Sequence, residues 1–348
     1  MRKIVLTVSL MLMAALAFAQ DAPASATTFA GSADAYYKYD FFNIDNSYTS
    51  FTNSHNSFEL GMASIEASHK MGKASVFVDL GFGKRDSQFT YNDKATTFMI
   101  KQLNFTYEFS DMFKVTVGSF GTHLGYELVD AVDNKNYSMS YAFTYGPFFN
   151  IGLKAQYSVG KYSFMAGITN PTDFKSTIEA GSTQKTFIGQ IAYVTDAGNA
   201  YFNVTSGSSN PVSDENKTQF DFVGSKKISE KLLVGFNGTY ALTNNDQDSS
   251  LDGEWFALVG YVNYSVKKTL SLAYRVEYFD AKNATPGVGI LAGSSVIGNT
   301  LSLNYNVGNL TIIPEIRYDS ASEDIFMNSD LTPKRITAFA LLATTYSF

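Results

Sequence analysis

The feature that most constrains this chain is a period of two. In Thr269–Asp280, Leu270, Leu272, Tyr274, Val276 and Tyr278 fall on one face, while Ser271, Ala273, Arg275, Glu277 and Phe279 fall on the other. The same alternation runs through Phe148–Ser158, Leu301–Val307 and Leu310–Asp319. Successive side chains of a β-strand point to opposite faces, so each segment reads as a strand with one apolar and one polar side. Sixteen such segments recur, at 29–41, 57–69, 73–84, 97–109, 112–120, 148–158, 161–170, 186–196, 199–207, 218–228, 231–243, 255–266, 269–280, 298–307, 310–320 and 335–348.

The connections alternate short and long. The short ones are 69–73, 110–111, 160, 197–198, 229–230, 267–268 and 308–309. The long ones lie near 42–56, 85–96, 121–147, 171–185, 208–217, 244–254, 281–297 and 321–334. Such a series suits sixteen up-and-down strands with both termini on the tight-turn side. Membrane β-barrels carry this asymmetry between short turns and long outer loops. In hydrocarbon every backbone N–H and C=O needs a partner, so the sheet must close on itself. The predicted fold is therefore all-β: a transmembrane antiparallel up-and-down β-barrel of about sixteen strands, forming a single domain over 28–348.

Composition supports this. There are 22 Tyr and 29 Phe against 7 Pro, and only 17% of residues are charged. Tyr107, Phe109, Phe113, Tyr157 and Tyr162 fall near tight turns, and Trp255, Phe256, Tyr278, Phe279 and Tyr318 near the long loops. They are expected to form two interfacial girdles. A soluble secreted β protein is the structural alternative, because Tyr and Phe favour any strand. Pro314 interrupts a strand, loses a ladder hydrogen bond and predicts a bulge.

The ends carry their own signals. Arg2 and Lys3, the apolar run Ile4–Leu16 and the small-x-small site Ala17–Ala19 read as a signal peptide over 1–19. Residues 20–27 form a short polar lead-in. No cysteine follows the cleavage site, which excludes a lipid anchor and disulfides. Beyond the leader the chain holds 24 basic against 32 acidic residues. With that acidic balance and no basic block, nucleic acid is not an expected partner. The chain ends LLATTYSF, with Ala340, Leu342, Thr344, Tyr346 and Phe348 on one face. This resembles the C-terminal signal read by the barrel-assembly machinery, with Tyr346 and Phe348 as its aromatic residues.

Three stretches carry a family resemblance: VGSFGTHLGYE (Val117–Glu127), NYSMSYAFTYGPFFNIGLKAQY (Asn136–Tyr157) and NPTDFKS (Asn170–Ser176). Over this region the chain resembles the OmpL-like β-barrel porin-2 family, common in Bacteroidota. The resemblance implies a water-filled channel in the bacterial outer membrane for passive diffusion of small hydrophilic solutes, among lipid and lipopolysaccharide, with no cofactor. A homotrimer follows only by analogy with general porins.

No catalytic, metal or cofactor motif is present. His55, His69 and His123 lack ligand spacing, and GxSxG, HExxH and P-loop patterns are missing. His55 and His123 both fall on the loop side, which leaves a rim hydrolase as an alternative. A plugged barrel acting as receptor or adhesin is another. The segment 244–254 partly mimics a calcium loop, but Ser249 occupies the turn-glycine place and Trp255 the twelfth, so a solvated acidic loop is the better reading.

Asp34, Lys38, Asp40, Asp79, Lys154, Asp221, Arg275, Glu277, Glu315 and Arg317 fall on polar strand faces. In a barrel of this size they are expected to line water and to tune selectivity. The long loops are acid-rich, which predicts a negative mouth and a weak cation preference. The longest connection, 121–147, contains GYELVDAVDNKNYSMSY. The family resemblance implies that it folds inward as a constriction loop, with Glu127, Asp130, Asp133 and Tyr137 narrowing the channel. Tyr137, Ser138, Ser140 and Tyr141 would then pack against the wall. An outward surface loop is the plainer reading.

Overall fold

The computed structural model describes residues 25–92, 99–177, 183–211, 215–283 and 287–348. The signal-peptide segment lies outside the described residues. The strands are β1 (Ser25–Asp40), β2 (Ser57–Met71), β3 (Ala74–Phe82), β4 (Ile100–Glu108), β5 (Phe113–Gly121), β6 (Phe149–Val159), β7 (Tyr162–Thr169), β8 (Thr186–Thr195) and β9 (Gly198–Ser208). There follow β10 (Glu215–Lys227), β11 (Leu232–Asn245), β12 (Gly253–Lys267), β13 (Leu270–Ala281), β14 (Ser294–Val307) and β15 (Leu310–Ala321). A two-strand hairpin, β16 (Phe326–Met327) and β17 (Pro333–Lys334), decorates the last long loop before β18 (Ile336–Ser347).

Apart from that hairpin, each strand pairs antiparallel with its sequence neighbours, and β1 closes the sheet on β18 from Ser32↔Ser347 to Asp40↔Phe339. Sixteen strands thus form one closed barrel. Closure leaves no free sheet edge, as hydrocarbon requires. The outer face exposes Phe105, Val117, Leu153, Phe202, Leu258, Val276, Ile316 and Leu342. In water this would be a costly apolar surface; against lipid chains it is the solvated face. Tight turns use hydroxyl chemistry. Ser110 Oγ accepts from the N–H groups of Met112 and Phe113, and Ser229 Oγ accepts from those of Lys231 and Leu232. A hydroxyl that engages its own turn's backbone offers an alternative to extending the ladder, and so stops the strand.

Several expectations change. Strand β1 starts at Ser25, so the end of the lead-in is strand: Ser25, Ala26 and Thr27 pair with Met71, Lys70 and His69. Pro314 sits opposite Leu342 without a bulge. Across β14 the paired positions pass from Ser302↔Glu315 to Tyr305↔Ile312 in unchanged register. The missing N–H interrupts the ladder locally and does not shift it. Bulges occur instead between Ala33 and Ala35, Asp79 and Leu80, and Ser265 and Lys267. Trp255 and Phe279 are not girdle residues. Both are fully buried inside, their rings 5.4 Å apart, because Tyr145 reaches in to pack on Phe279 at 5.1 Å. Phe256 and Tyr278, their strand neighbours, pair with each other at 5.5 Å.

Candidate functional site: a segment folded into the barrel

The longest connection, between β5 and β6, is built into the lumen. It begins by reaching over to β9 and β10: His123 Nε2 meets Val204 O at 3.0 Å, and the Gly125 N–H donates to Asp221 Oδ2 at 3.0 Å. Tyr126 stacks on Tyr261 at 4.1 Å. Gly235 makes this possible, since a Cβ there would lie 2.6 Å from the Tyr126 ring. The chain then swings to the opposite side, where Asp130 pairs with Lys101 at 2.7 Å and accepts from Ser64 Oγ. It returns along β13–β15. Asn136 donates to Ser302, and the N–H groups of Tyr137 and Ser138 both donate to Glu315, at 2.7 and 3.1 Å. Tyr137 Oη donates to Asp34 on β1 at 2.5 Å.

A one-turn helix, Tyr141–Thr144, ends this strap. Ser140 Oγ accepts from Phe143 N–H as its N-cap and donates to Glu127. Tyr141 N–H donates to Glu277 and its hydroxyl to Asp319, each at 2.7 Å. Tyr137, Met139, Ser138 and Ser140 are buried as deeply as any core residue.

The wall facing the strap is a row of alternating charge. Glu127–Arg275 (2.6 Å), Arg275–Glu277 (3.4 Å), Glu277–Arg317 (3.0 Å) and Arg317–Asp319 (2.8 Å) run without a gap. Arg317 and Arg275 also donate to the Met139 and Ser138 carbonyls. Buried charges of this kind persist only when paired and hydrogen-bonded. The strap supplies one acid and several carbonyls that the row lacks. Burial, reinforced by Asp319, raises the Tyr141 phenol well above its ordinary pKa, so it remains a donor.

All ten polar-face residues point inward, but most meet protein, not open lumen. Arg275, Glu277, Glu315, Arg317, Asp34 and Asp221 bind the strap as described. Asp79 pairs with Lys101 at 3.0 Å. Lys38 bonds Asp45, Thr52 O and Ser47 from the first long loop. Asp40 accepts from the Phe42 N–H. Lys154 lies over the Phe120 ring at 4.1 Å, and no carboxylate among the described residues pairs with it. Of the strap residues, Glu127, Asp130 and Tyr137 are committed to internal bonds, whereas Asp133 is exposed.

Two cations escaped the sequence reading. Arg85, on the short helix Lys84–Phe89, is buried between the Phe51 and Tyr137 rings at 4.9 and 5.1 Å. Lys101 is fully buried, although strict alternation from Leu103 would turn it outward. The bulge opposite Asp79–Leu80 inserts one residue and reverses it. The three histidines stay apart: His55 accepts from Asp40 N–H, His69 bonds Thr27, and His123 is held by Val204 O. Burial pulls His123 down to about 4, so it is neutral. Among the described residues no three His, Cys, Asp or Glu side chains gather as metal ligands. The 244–254 loop is instead a one-turn 3₁₀ helix, Ser249–Leu251, capped by Asp248. On the loop side, between strap and wall, lies a cavity of about 560 Å³.

No curated protein sequence matches the chain. Among solved structures, an anion-selective porin from Comamonas acidovorans superposes with a TM-score of 0.63 at 10% identity, covering 93% of this chain and 100% of that one. The outer membrane protein OmpT of Vibrio cholerae, as its loop L8 deletion mutant, gives 0.61 at 13% identity, covering 93% and 100%. The outer membrane channel DcaP of Acinetobacter baumannii gives 0.59 at 12%, covering 93% and 97%. At these identities the likeness is one of fold. The model of the family described as "Putative beta-barrel porin-2, OmpL-like" matches residues 26–348. This chain, a closed sixteen-strand barrel of the outer membrane, belongs to that porin family.

Proposed function

We propose that the protein is a passive diffusion channel for small hydrophilic solutes and ions, narrowed by its strap and weakly selective for cations. The observation that carries this is the strap's attachment to inward residues of a closed barrel, which leaves the remaining lumen beside it as the passage. Acids on the mouth loops, among them Asp246, Asp248 and Asp330, and the exposed Asp133 on the strap support the cation preference. The paired charges behind the strap contribute little net field. Planar-bilayer recording of the purified protein tests the reading. Stepwise conductance with a reversal potential modestly favouring cations is expected; no conductance, or strong anion preference, overturns it.

The strap bonds walls on several sides, and this favours one second reading: a plugged barrel whose loops act as a receptor or adhesin. Silent bilayers combined with loss of surface binding on loop deletion would support it. We further propose export by the leader, with mature protein starting at Gln20, insertion by the barrel-assembly machinery through Tyr346 and Phe348, contact with lipopolysaccharide, and a homotrimer. OmpT of Vibrio cholerae is known in a trimer form. N-terminal sequencing and light scattering check the first and last of these.

A further inference from the structure

The 560 Å³ cavity falls in the size range of small-molecule sites. Its walls combine fixed aromatic rings with neutral polar groups. Tyr48, Tyr91 and Tyr145 line it, and each hydroxyl is tethered, to Ile325 O, Asp173 Oδ2 and Tyr48 O respectively. The rings are thereby held in place before anything binds.

The charged groups of the lining are already engaged. Asp173 accepts from the N–H groups of Phe148 and Phe149 and from Tyr91, Glu215 from Ser209, while Lys217 donates to Tyr145 O. By contrast, Gln219 Oε1 and Thr205 Oγ1 are buried without a hydrogen-bond partner, on side chains that line this cavity and are 2% and 4% exposed. A buried amide oxygen and hydroxyl left unpaired are costly, and a ligand that supplies hydroxyls relieves that cost.

We propose that this vestibule is a binding site for neutral polyhydroxylated solutes, that is, small carbohydrates, whose C–H faces lie on the tyrosine rings and whose hydroxyls reach Gln219 and Thr205. The inference rests on the channel reading for its role, since a solute held here waits at the entrance to the passage. Binding itself is independent of conduction.

The only tryptophan of the chain reports on the site, because Lys217 Nζ, which lines the cavity, lies 5.5 Å from the Trp255 ring centre. Maltose titrated into the purified full-length protein should shift Trp255 emission with a saturating curve. Glucuronate and glucosamine, one anionic and one cationic, should bind at least about tenfold more weakly. Losing both orphan groups in the Thr205→Val, Gln219→Leu double variant should weaken maltose about tenfold, the loss expected of two modest hydrogen bonds. In bilayers, maltose should reduce the ion current with the same half-saturation. A linear, non-saturating response to maltose, or equal affinity for the charged sugars, overturns the proposal even if the channel conducts. A saturating emission shift in a protein that does not conduct sustains the site and sinks the channel instead.

Discussion

The two sides of the lumen solve the same problem differently. Along β13, β15 and β1, the inward groups are Arg275, Glu277, Arg317, Glu315, Asp319 and Asp34, and most are under 5% exposed. Along β6 to β9, where Lys154 is the one charge, they include Gln156, Ser158, Ser163 and Gln190, which are half-buried, and Asn203, which is buried. The neutral groups satisfy one another across neighbouring strands: Gln156 donates to Ser163 at 2.9 Å and Gln190 to Asn203 at 2.8 Å. The charged groups cannot close their bonding within the wall and take up the strap. The neutral groups thus largely satisfy one another, and the charged wall acquires the strap. The placement of the strap is thus a consequence of where the sequence puts its inward charge.

The largest test of this contrast removes a charge. Arg275→Met would strand Glu127 and leave Glu277 with Arg317 alone, and should cost about 3–5 kcal/mol, the usual penalty for breaking one side of a buried pair. Urea unfolding should read the loss, and open-channel conductance should rise as the strap loosens. Unchanged values for both would end the argument that charge holds the strap.

A smaller test sharpens it, because Asp173 is a buried acid satisfied by backbone and phenol with no cation bonded to it. Burial raises its carboxyl to about 6. The folded state therefore binds this proton more readily than the unfolded chain, whose carboxyl titrates near 3.9. Stability should rise as pH falls from 7 through 6 towards 4, by on the order of 2–3 kcal/mol from this group. Asp173→Asn should remove that component, and matched pH series of the two proteins check it. A variant with the wild-type slope would show the group to be unimportant.

Gly235→Ala comes next. Its Cβ would press on the Tyr126 ring and force it off Tyr261, an overpacking cost of about 1–3 kcal/mol, read by urea midpoint. Smallest is Gln156→Ala on the neutral side, which gives up one partly exposed hydrogen bond worth about 0.5–1.5 kcal/mol. If it proved as damaging as Arg275→Met, the two walls would not differ as described.

Much of the barrel was legible because lipid and lumen impose alternation locally. All sixteen segments become strands, with ends moved by a few residues. What was not legible depended on contacts distant in sequence. Tyr137 and its acceptor Asp34 are 103 residues apart, and Tyr137 and Glu315 are 178. Nothing near Glu315 in the sequence announces that its oxygens will bind two amides of the strap. Lys101 was hidden by a single inserted residue, and Trp255 by its resemblance to a girdle aromatic. Asp133 looked like Glu127 and Asp130, yet only those two find buried cations. Acidity was visible in the sequence, but partnership was not.

The closing seam between β1 and β18 joins the first described strand to the last. The strap precedes β13 and β15 in the chain, so Arg275, Glu277, Glu315 and Arg317 all follow it, whereas Asp34, Ser64 and Lys101 come before it. Without β13 and β15, Glu127 lacks Arg275, and the Tyr137, Ser138 and Tyr141 amides lack Glu315 and Glu277. Docking of the strap and sealing of the seam therefore come late and together, after the long loop-closure search that slows sheets rich in distant contacts. Once the seam shuts, a strap left outside has no lateral way in. The order of events during assembly decides whether the finished molecule has its interior in place.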